Sequence, residues 1–203
     1  MKVIIPENIS EITLEQFQKI NNILKQEGIT ERQIEDKTIE IFYNIPTKDV
    51  NNITEKDRTY LLKMVKDAME RDVPFVNTFT LNDVAYGFHP NLDKLTGWEF
   101  LDVKQYEKDV QDYHKLMAVL FRPIKNKDSF GNYEIENYDG TKDRAELFKS
   151  MPMNVVNGAL GFFLTLSNDL QTTIKRYIHL HQAKGMRQYH SLPSGDGTQP
   201  LKV

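Results

Sequence analysis

A threonine followed three residues later by glutamine or aspartate occurs directly before three amphipathic segments. The three motifs are Thr13-Leu-Glu-Gln16, Thr30-Glu-Arg-Gln33 and Thr54-Glu-Lys-Asp57. In this pattern the threonine hydroxyl accepts a hydrogen bond from the backbone N–H three residues on, and a glutamine there can reach back. Apolar residues follow at spacings of three and four, and Gly28 and Pro46 end the first two segments. The pattern predicts three capped helices within residues 1–72.

The apolar period then changes from helical spacing to alternation. Phe75, Phe79 and Leu81 alternate with polar residues, and Val84, Tyr86 and Phe88 do the same after Asn82-Asp83. Alternation favours a half-buried strand, and an asparagine–aspartate pair between two such runs is typical of a tight hairpin turn. The sequence therefore predicts one small antiparallel β-hairpin.

Helical patterns return after Pro90. Thr96 is a candidate N-cap for a helix over residues 95–106, with Trp98, Leu101 and Val103 expected to be half-buried. Further helices are predicted from about Val110 to Leu120, from Thr141, a candidate cap, to Phe148, and from Asn154 onward, with a short strand over residues 133–137. The predicted fold class is α+β, predominantly α-helical with a small antiparallel hairpin.

The predicted domain organisation is a single α-rich domain over residues 1–184, in which residues 73–184 hold the hairpin and the later helices. Residues 185–203 are rich in Gly, Pro and Ser and have little apolar surface to pack. They are expected to form an extended or disordered tail.

The longest apolar stretch, VVNGALGFFLTL, is predicted to be a core helix. Its twelve residues are fewer than the ~20 that span a bilayer, and they include Asn157. Gly158 and Gly161 each lower helix propensity by about 1 kcal/mol. We expect another element to approach closely at these glycines. The apolar run before Pro6 is likewise too short for a signal peptide.

The stretch MAVLFRPI (residues 117–124) places Arg122 and Pro123 after an apolar helix. A cation at a helix C-terminus can bond the last carbonyls, and proline stops the helix. Arg122 is therefore predicted to end the helix, pairing either within its own chain or with an acidic surface of another subunit.

No motif of known chemistry occurs in the chain. There is no cysteine, and the five histidines lack a metal-ligand spacing such as HExxH. GxSxG, the phosphate-binding loop motif and GxGxxG are also absent, so no catalytic residue, cofactor or metal is expected. A carboxylate site with no recognisable motif stays open as an alternative.

The net charge of −3 is unevenly distributed. Residues 170–203 carry five basic side chains and a single acid, a net charge of +4, which leaves −7 on residues 1–169. One interpretation is a solvated helix end with a loose terminus. The other is a tail that docks on an acidic neighbour, or contacts nucleic acid as an accessory protein. The candidate interaction residues are Arg122, Lys175, Arg176, Lys184, Arg187 and Tyr189.

Six stretches covering most of residues 1–170 resemble small proteins from the structural-gene clusters of tailed bacteriophages, including crAss-like phages. They are IPENISEITLEQFQKI, IFYNIPTKDVNNI, FTLNDVAYGFHPNLDKLTGWEFLDV, HKLMAVLFRPI, YEIENYDGT and MPMNVVNGALGFFLTLSNDL. The resemblance implies a non-enzymatic protein of the head–tail connector or tail, or a tail assembly chaperone that holds the tape-measure protein.

Under this resemblance the partners are other phage structural proteins: a portal, tail-tube or tape-measure protein, and further copies of the chain. Neither a membrane nor nucleic acid is the expected partner. The expected location is the host cytoplasm during assembly, and then the virion if the protein stays in the particle.

Overall fold

The structure is a computed structural model, and it describes Pro6, residues 8–71 and residues 73–163. The chain divides into two compact units, Met1–Leu160 and Gly161–Val203. All the elements labelled below belong to the first unit. The predicted boundary between residues 184 and 185, and the predicted tail, lie outside the described residues.

The three capped helices form as predicted. Helix α1 spans Leu14–Leu24 and α2 spans Glu31–Tyr43, and both have complete capping boxes. The short α3 (Thr47–Val50), which the sequence pattern did not predict, follows Pro46. Helix α4 spans Glu55–Met69, with the Thr54 hydroxyl accepting from the backbone N–H of Asp57.

The sheet is antiparallel with four strands in the order β1-β2-β3-β4. Strands β1 (Thr78–Leu81) and β2 (Val84–Phe88) form the predicted hairpin. Its turn residues Asn82 and Asp83 have φ of 48° and 61°, as a turn with two left-handed residues requires. The fold is α+β and predominantly helical, as predicted, with a larger sheet than expected.

The second half of the unit alternates helices and strands. Helix α5 spans Gly97–Tyr106 and α6 spans Tyr113–Leu120. Strands β3 (Phe121–Lys127) and β4 (Tyr133–Ile135) follow, and then α7 (Lys142–Phe148). A further helical stretch covers residues 153–163. Thr141 precedes α7, but its side chain makes no capping hydrogen bond, so that part of the prediction is wrong.

The core lies between the sheet and helices α6 and α7. Leu116 to Phe121 are completely buried. Phe121 and Phe148 make edge contacts with Phe79 of β1, at ring-centroid distances of 5.2 and 5.9 Å. The Phe148 contact joins α7 to the sheet, and the Phe121 contact joins β3 to β1, through aromatic side chains that bury large apolar areas.

The close approach predicted for the glycines occurs at Gly158 alone. A Cβ atom there would lie 2.7 Å from the Pro74 carbonyl oxygen and 3.1 Å from the Phe75 Cα, whereas one at Gly161 would meet no atom of the described residues within 4 Å. The expectation is therefore confirmed for Gly158, and at Gly161 no described residue makes such an approach.

Candidate functional site

Helix α5 presents apolar side chains outward and an acidic side chain inward. Trp98, Phe100 and Leu101 are 76%, 50% and 58% exposed, and we call these three residues the outer face of α5. Glu99 and Val103 are buried on the opposite side. The expectation that Trp98 and Leu101 are half-buried is wrong, because their side of the helix has no cover from the described residues.

The capping box explains why Glu99 faces inward. Its Oε2 atom accepts a hydrogen bond of 2.7 Å from the backbone N–H of Thr96, and the Thr96 hydroxyl accepts from the Glu99 N–H. The cap fixes the rotation of the first turn, so the neighbouring Trp98 and Phe100 point away. The pattern Thr96-x-x-Glu99 is visible in the sequence and could have indicated this orientation.

Beneath α5, Glu99 joins a buried charge cluster. Its Oε1 atom lies 2.8 Å from Nη1 of Arg122 on β3 and 3.8 Å from Nε2 of His89, which follows β2. All three side chains are 9% exposed or less. The cluster attaches α5 to the sheet, because a buried carboxylate is stable only when it is paired.

The protonation states in this cluster follow from burial and charge. Burial by itself would raise the pKa of Glu99, but hydrogen bonds from Thr96 and the charge of Arg122 outweigh it and bring the pKa below its usual range. Burial, with repulsion from Arg122, lowers the pKa of His89. The His89 Nδ1 atom accepts from the backbone N–H of Asn91 at 3.2 Å, so the neutral ring has its proton on Nε2, facing Glu99.

The position of Arg122 corrects the sequence prediction. Arg122 does not end a helix: it lies within β3, opposite Gly87 of β2. The Leu120 carbonyl that it was expected to bond accepts instead from the backbone N–H of His89 at 2.7 Å. Arg122 pairs with Glu99 of its own chain.

A groove of about 650 Å³ lies beside this cluster, between the segment that begins with β4 and the start of α5. Its lining includes Arg122, Lys94, Lys125, Tyr138 and Trp98. The Tyr138 ring lies 5.9 Å from the Arg122 guanidinium carbon, and the Tyr138 hydroxyl donates to Asp102. The groove lining thus combines charged and aromatic side chains, and it includes Trp98 of the outer face of α5.

The turn between β3 and β4 presents a further exposed aromatic side chain, Phe130, at 90% exposure. One Asp128 oxygen accepts from the backbone N–H groups of Phe130 and Asn132, and the other accepts from the Asn132 side chain. These hydrogen bonds lower the pKa of Asp128, and the one from the Asn132 side chain has the largest effect. The turn therefore holds Phe130 in a fixed, exposed position.

The remaining predicted interaction residues are Lys175, Arg176, Lys184, Arg187 and Tyr189. They lie outside the described residues, so their proposed role stays a prediction.

The described residues contain neither a metal-binding cluster nor a pair of buried carboxylates. No group of three or more His, Asp or Glu side chains among them could hold a metal ion. Glu99 is the only buried carboxylate in that part of the chain, and its charge is paired with Arg122. Within residues 8–71 and 73–163, no helix has the length and apolar character needed to cross a membrane.

No protein-family model, curated protein or solved structure matches the chain.

Proposed function

We propose that this chain is a non-enzymatic structural or assembly protein of a tailed bacteriophage, and that it works through protein–protein contacts made by the outer face of α5. The observation that carries the proposal is the exposure of Trp98, Phe100 and Leu101 on one well-anchored helix. The resemblance to proteins of phage structural-gene clusters supplies the biological setting.

Exposed aromatic and large aliphatic side chains of this kind are typical of interfaces. Tryptophan is enriched among the few residues that dominate binding energy, and clustered exposed apolar side chains mark interaction sites. Single exposed apolar residues such as Leu24 also occur here, so the argument rests on the grouping within α5.

Anchoring of α5 favours binding further. The capping box and the Glu99–Arg122 ion pair hold the helix in place before any partner arrives. A pre-organised surface loses less conformational entropy on association than a flexible one does. The partners that we propose are a portal, tail-tube or tape-measure protein, and further copies of the chain, in the host cytoplasm during assembly.

The test is co-purification of the tagged chain from cells that express the structural genes flanking its own gene. We expect one of the three named partners to co-purify, and the double variant Trp98→Gln/Leu101→Gln to reduce its yield by about ten-fold, the effect of losing roughly 1.4 kcal/mol. Both side chains are exposed, so the free energy of unfolding should change by less than about 0.5 kcal/mol.

The matched control is Tyr60→Gln/Leu24→Gln, since Tyr60 and Leu24 are 53% and 55% exposed on other helices. This variant should retain the partner. Equal losses in both variants, or a monodisperse monomer that captures none of the three proteins, would refute the proposal. Mass spectrometry of purified particles then separates a virion component, which is present there, from a chaperone, which is absent.

A further inference from the structure

We propose that the groove between β4 and the start of α5, hereafter the β4–α5 groove, binds an extended segment of a partner protein through a carboxylate of that segment. This inference deepens the proposed function and rests on it for the identity of the partner as a protein. It assigns the groove one type of occupant, an extended peptide with an Asp or Glu side chain.

One wall of the groove suits an extended peptide. Strand β4 lies at the edge of the sheet, and residues 133–138 line the groove. An edge strand has backbone N–H and C=O groups on its open side, and an added strand from another protein can pair with them. Thr96 and Trp98 line the facing side, so an inserted segment would lie between a strand and a helix.

Arg122 contributes a donor that lacks an acceptor. It is 4% exposed and lines the groove, and its Nε atom is buried without a hydrogen-bond partner. The ion pair with Glu99 uses Nη1. A buried donor without an acceptor is destabilising, so a ligand oxygen that reaches it gains a charge-assisted hydrogen bond.

Two further cations line the groove together with Arg122. Lys94 and Lys125 line the groove, both are exposed, and neither forms an ion pair with any described residue. Their charges complement a carboxylate, and their attraction would be sensitive to salt.

The acids of the groove limit how much negative charge it can take. Glu99, Glu134 and Glu136 also line it, and Glu134 accepts from the Asn126 side chain at 3.3 Å. A polyanion such as a nucleic-acid strand would meet these carboxylates along its length, whereas a single carboxylate needs only the Arg122 Nε atom, which the ion pair with Glu99 leaves unused. The mixed charge therefore favours a protein segment with one acid over nucleic acid.

The experiment is an NMR titration of the full chain with two short, acetylated and amidated peptides of alternating threonine and valine. One has a central aspartate and the other a central asparagine. We expect the aspartate peptide to shift the amide signals of residues 133–138 and the Arg122 Nε–H signal. The asparagine peptide should bind about ten-fold more weakly, because it lacks the charge that Arg122 recognises.

Two variants test the cations separately. Lys94→Gln/Lys125→Gln changes exposed side chains only, and it should lower the affinity for the aspartate peptide by about ten-fold. The control Lys63→Gln, which replaces an exposed lysine of α4, should leave that affinity unchanged. Arg122→Lys keeps a charge for Glu99 but removes the Nε donor, and should lower the affinity by a similar factor. If Arg122→Lys fails to fold, Lys94→Gln/Lys125→Gln still tests the inference.

Each result either supports the inference or overturns it. Shifts confined to other residues, equal binding of the two peptides, or no binding of either would overturn it. The single variant Leu101→Gln separates the two proposals, because Trp98 lines the groove and Leu101 does not. If neither peptide binds but Leu101→Gln loses the partner, the groove alone is refuted. If the aspartate peptide binds as expected but Leu101→Gln keeps the partner, the α5 contact alone is refuted.

Discussion

Glu99 uses its two carboxylate oxygens for different tasks. Oε2 caps the first turn of α5, while Oε1 lies between Arg122 and His89. The residue thus determines both where α5 begins and how the helix is held on the sheet. A single acid in an otherwise apolar stretch, Trp-Glu-Phe-Leu, thereby directs its apolar neighbours outward.

Replacing Glu99 with glutamine should lower the free energy of unfolding by about 3–5 kcal/mol. The amide can still accept from Thr96, but the Arg122 charge would stay buried without compensation, which is the large cost of breaking a buried pair. Urea unfolding of the variant and the parent chain measures the difference.

The control for this prediction is Glu70→Gln. Glu70 pairs with Lys66 at 3.8 Å on the surface, where such pairs contribute about 0–1 kcal/mol. The double variant Glu99→Gln/Arg122→Gln should lose less free energy of unfolding than the two single variants lose in sum. Equal stability of Glu99→Gln and Glu70→Gln would show that the buried pair does not hold α5.

At the scale of elements, the helical stretch 153–163 contains two glycines with opposite surroundings. Gly158→Ala should destabilise the protein, because its Cβ would overlap backbone atoms of Pro74 and Phe75 that cannot rotate away. Gly161→Ala should stabilise it by up to about 1 kcal/mol, the difference in helix propensity, since no described residue obstructs the new methyl group.

Thermal unfolding of the two alanine variants decides this prediction. They serve as each other's control, because both make the same chemical change in one helical stretch. The changes in the free energy of unfolding should have opposite signs. Gly158→Ala should lose about 2 kcal/mol or more, because overpacking outweighs the gain in helix propensity. Changes of the same sign would contradict the close approach at Gly158.

Local signals predicted the elements better than they predicted how the elements face one another. The Thr13, Thr30 and Thr54 caps and the Asn82-Asp83 turn act within a few residues, so their chemistry is visible in the sequence. The resulting helices and hairpin formed as predicted.

Strand β3 was missed because its start is a continuation of an apolar helix. Phe121 and Arg122 follow α6 without a loop, and only their pairing with Phe88 and Gly87 makes them a strand. The geometry of the candidate site likewise depends on contacts between elements. The outward Trp98 and the buried Arg122 depend on contacts between α5 and β3, and helical spacing alone carries no information on those contacts.

At the scale of the whole first unit, backbone hydrogen bonds join distant parts of the chain. Leu14 N–H donates to the Met151 carbonyl at 2.9 Å, and Met153 N–H donates to the Ile12 carbonyl at 2.8 Å. The break between α7 and the helical stretch from residue 153 pairs with the segment before α1, where Thr13 lies opposite Pro152. Unfolding of one end should therefore disturb the other.

Two buried histidines hold further parts of this unit together. His89 lies beneath α5, and His114 of α6 accepts at Nδ1 from the Gln18 side chain of α1 at 3.1 Å. Burial lowers the pKa of both rings from the ordinary 6.5, with repulsion from Arg122 at His89 and from Lys149 at His114. Glu99 and Glu146, the facing carboxylates, act in the opposite direction but do not prevail.

Stability should therefore fall as the pH is lowered through 6.5, the ordinary histidine pKa. Between that value and the lower folded pKa, the unfolded chain binds protons that the folded chain does not, so acid favours unfolding. A second loss should begin below 4.5, where unfolded glutamates take up protons while Glu99, with its lowered pKa, stays ionised in the fold. Urea midpoints measured across this pH range give the dependence of stability on pH.

The control is the variant His89→Asn/His114→Asn, which keeps an acceptor near each Nδ1 position but cannot titrate. It should abolish the loss of stability near pH 6.5 and retain the loss below pH 4.5. If the loss near pH 6.5 is unchanged in this variant, other groups cause it.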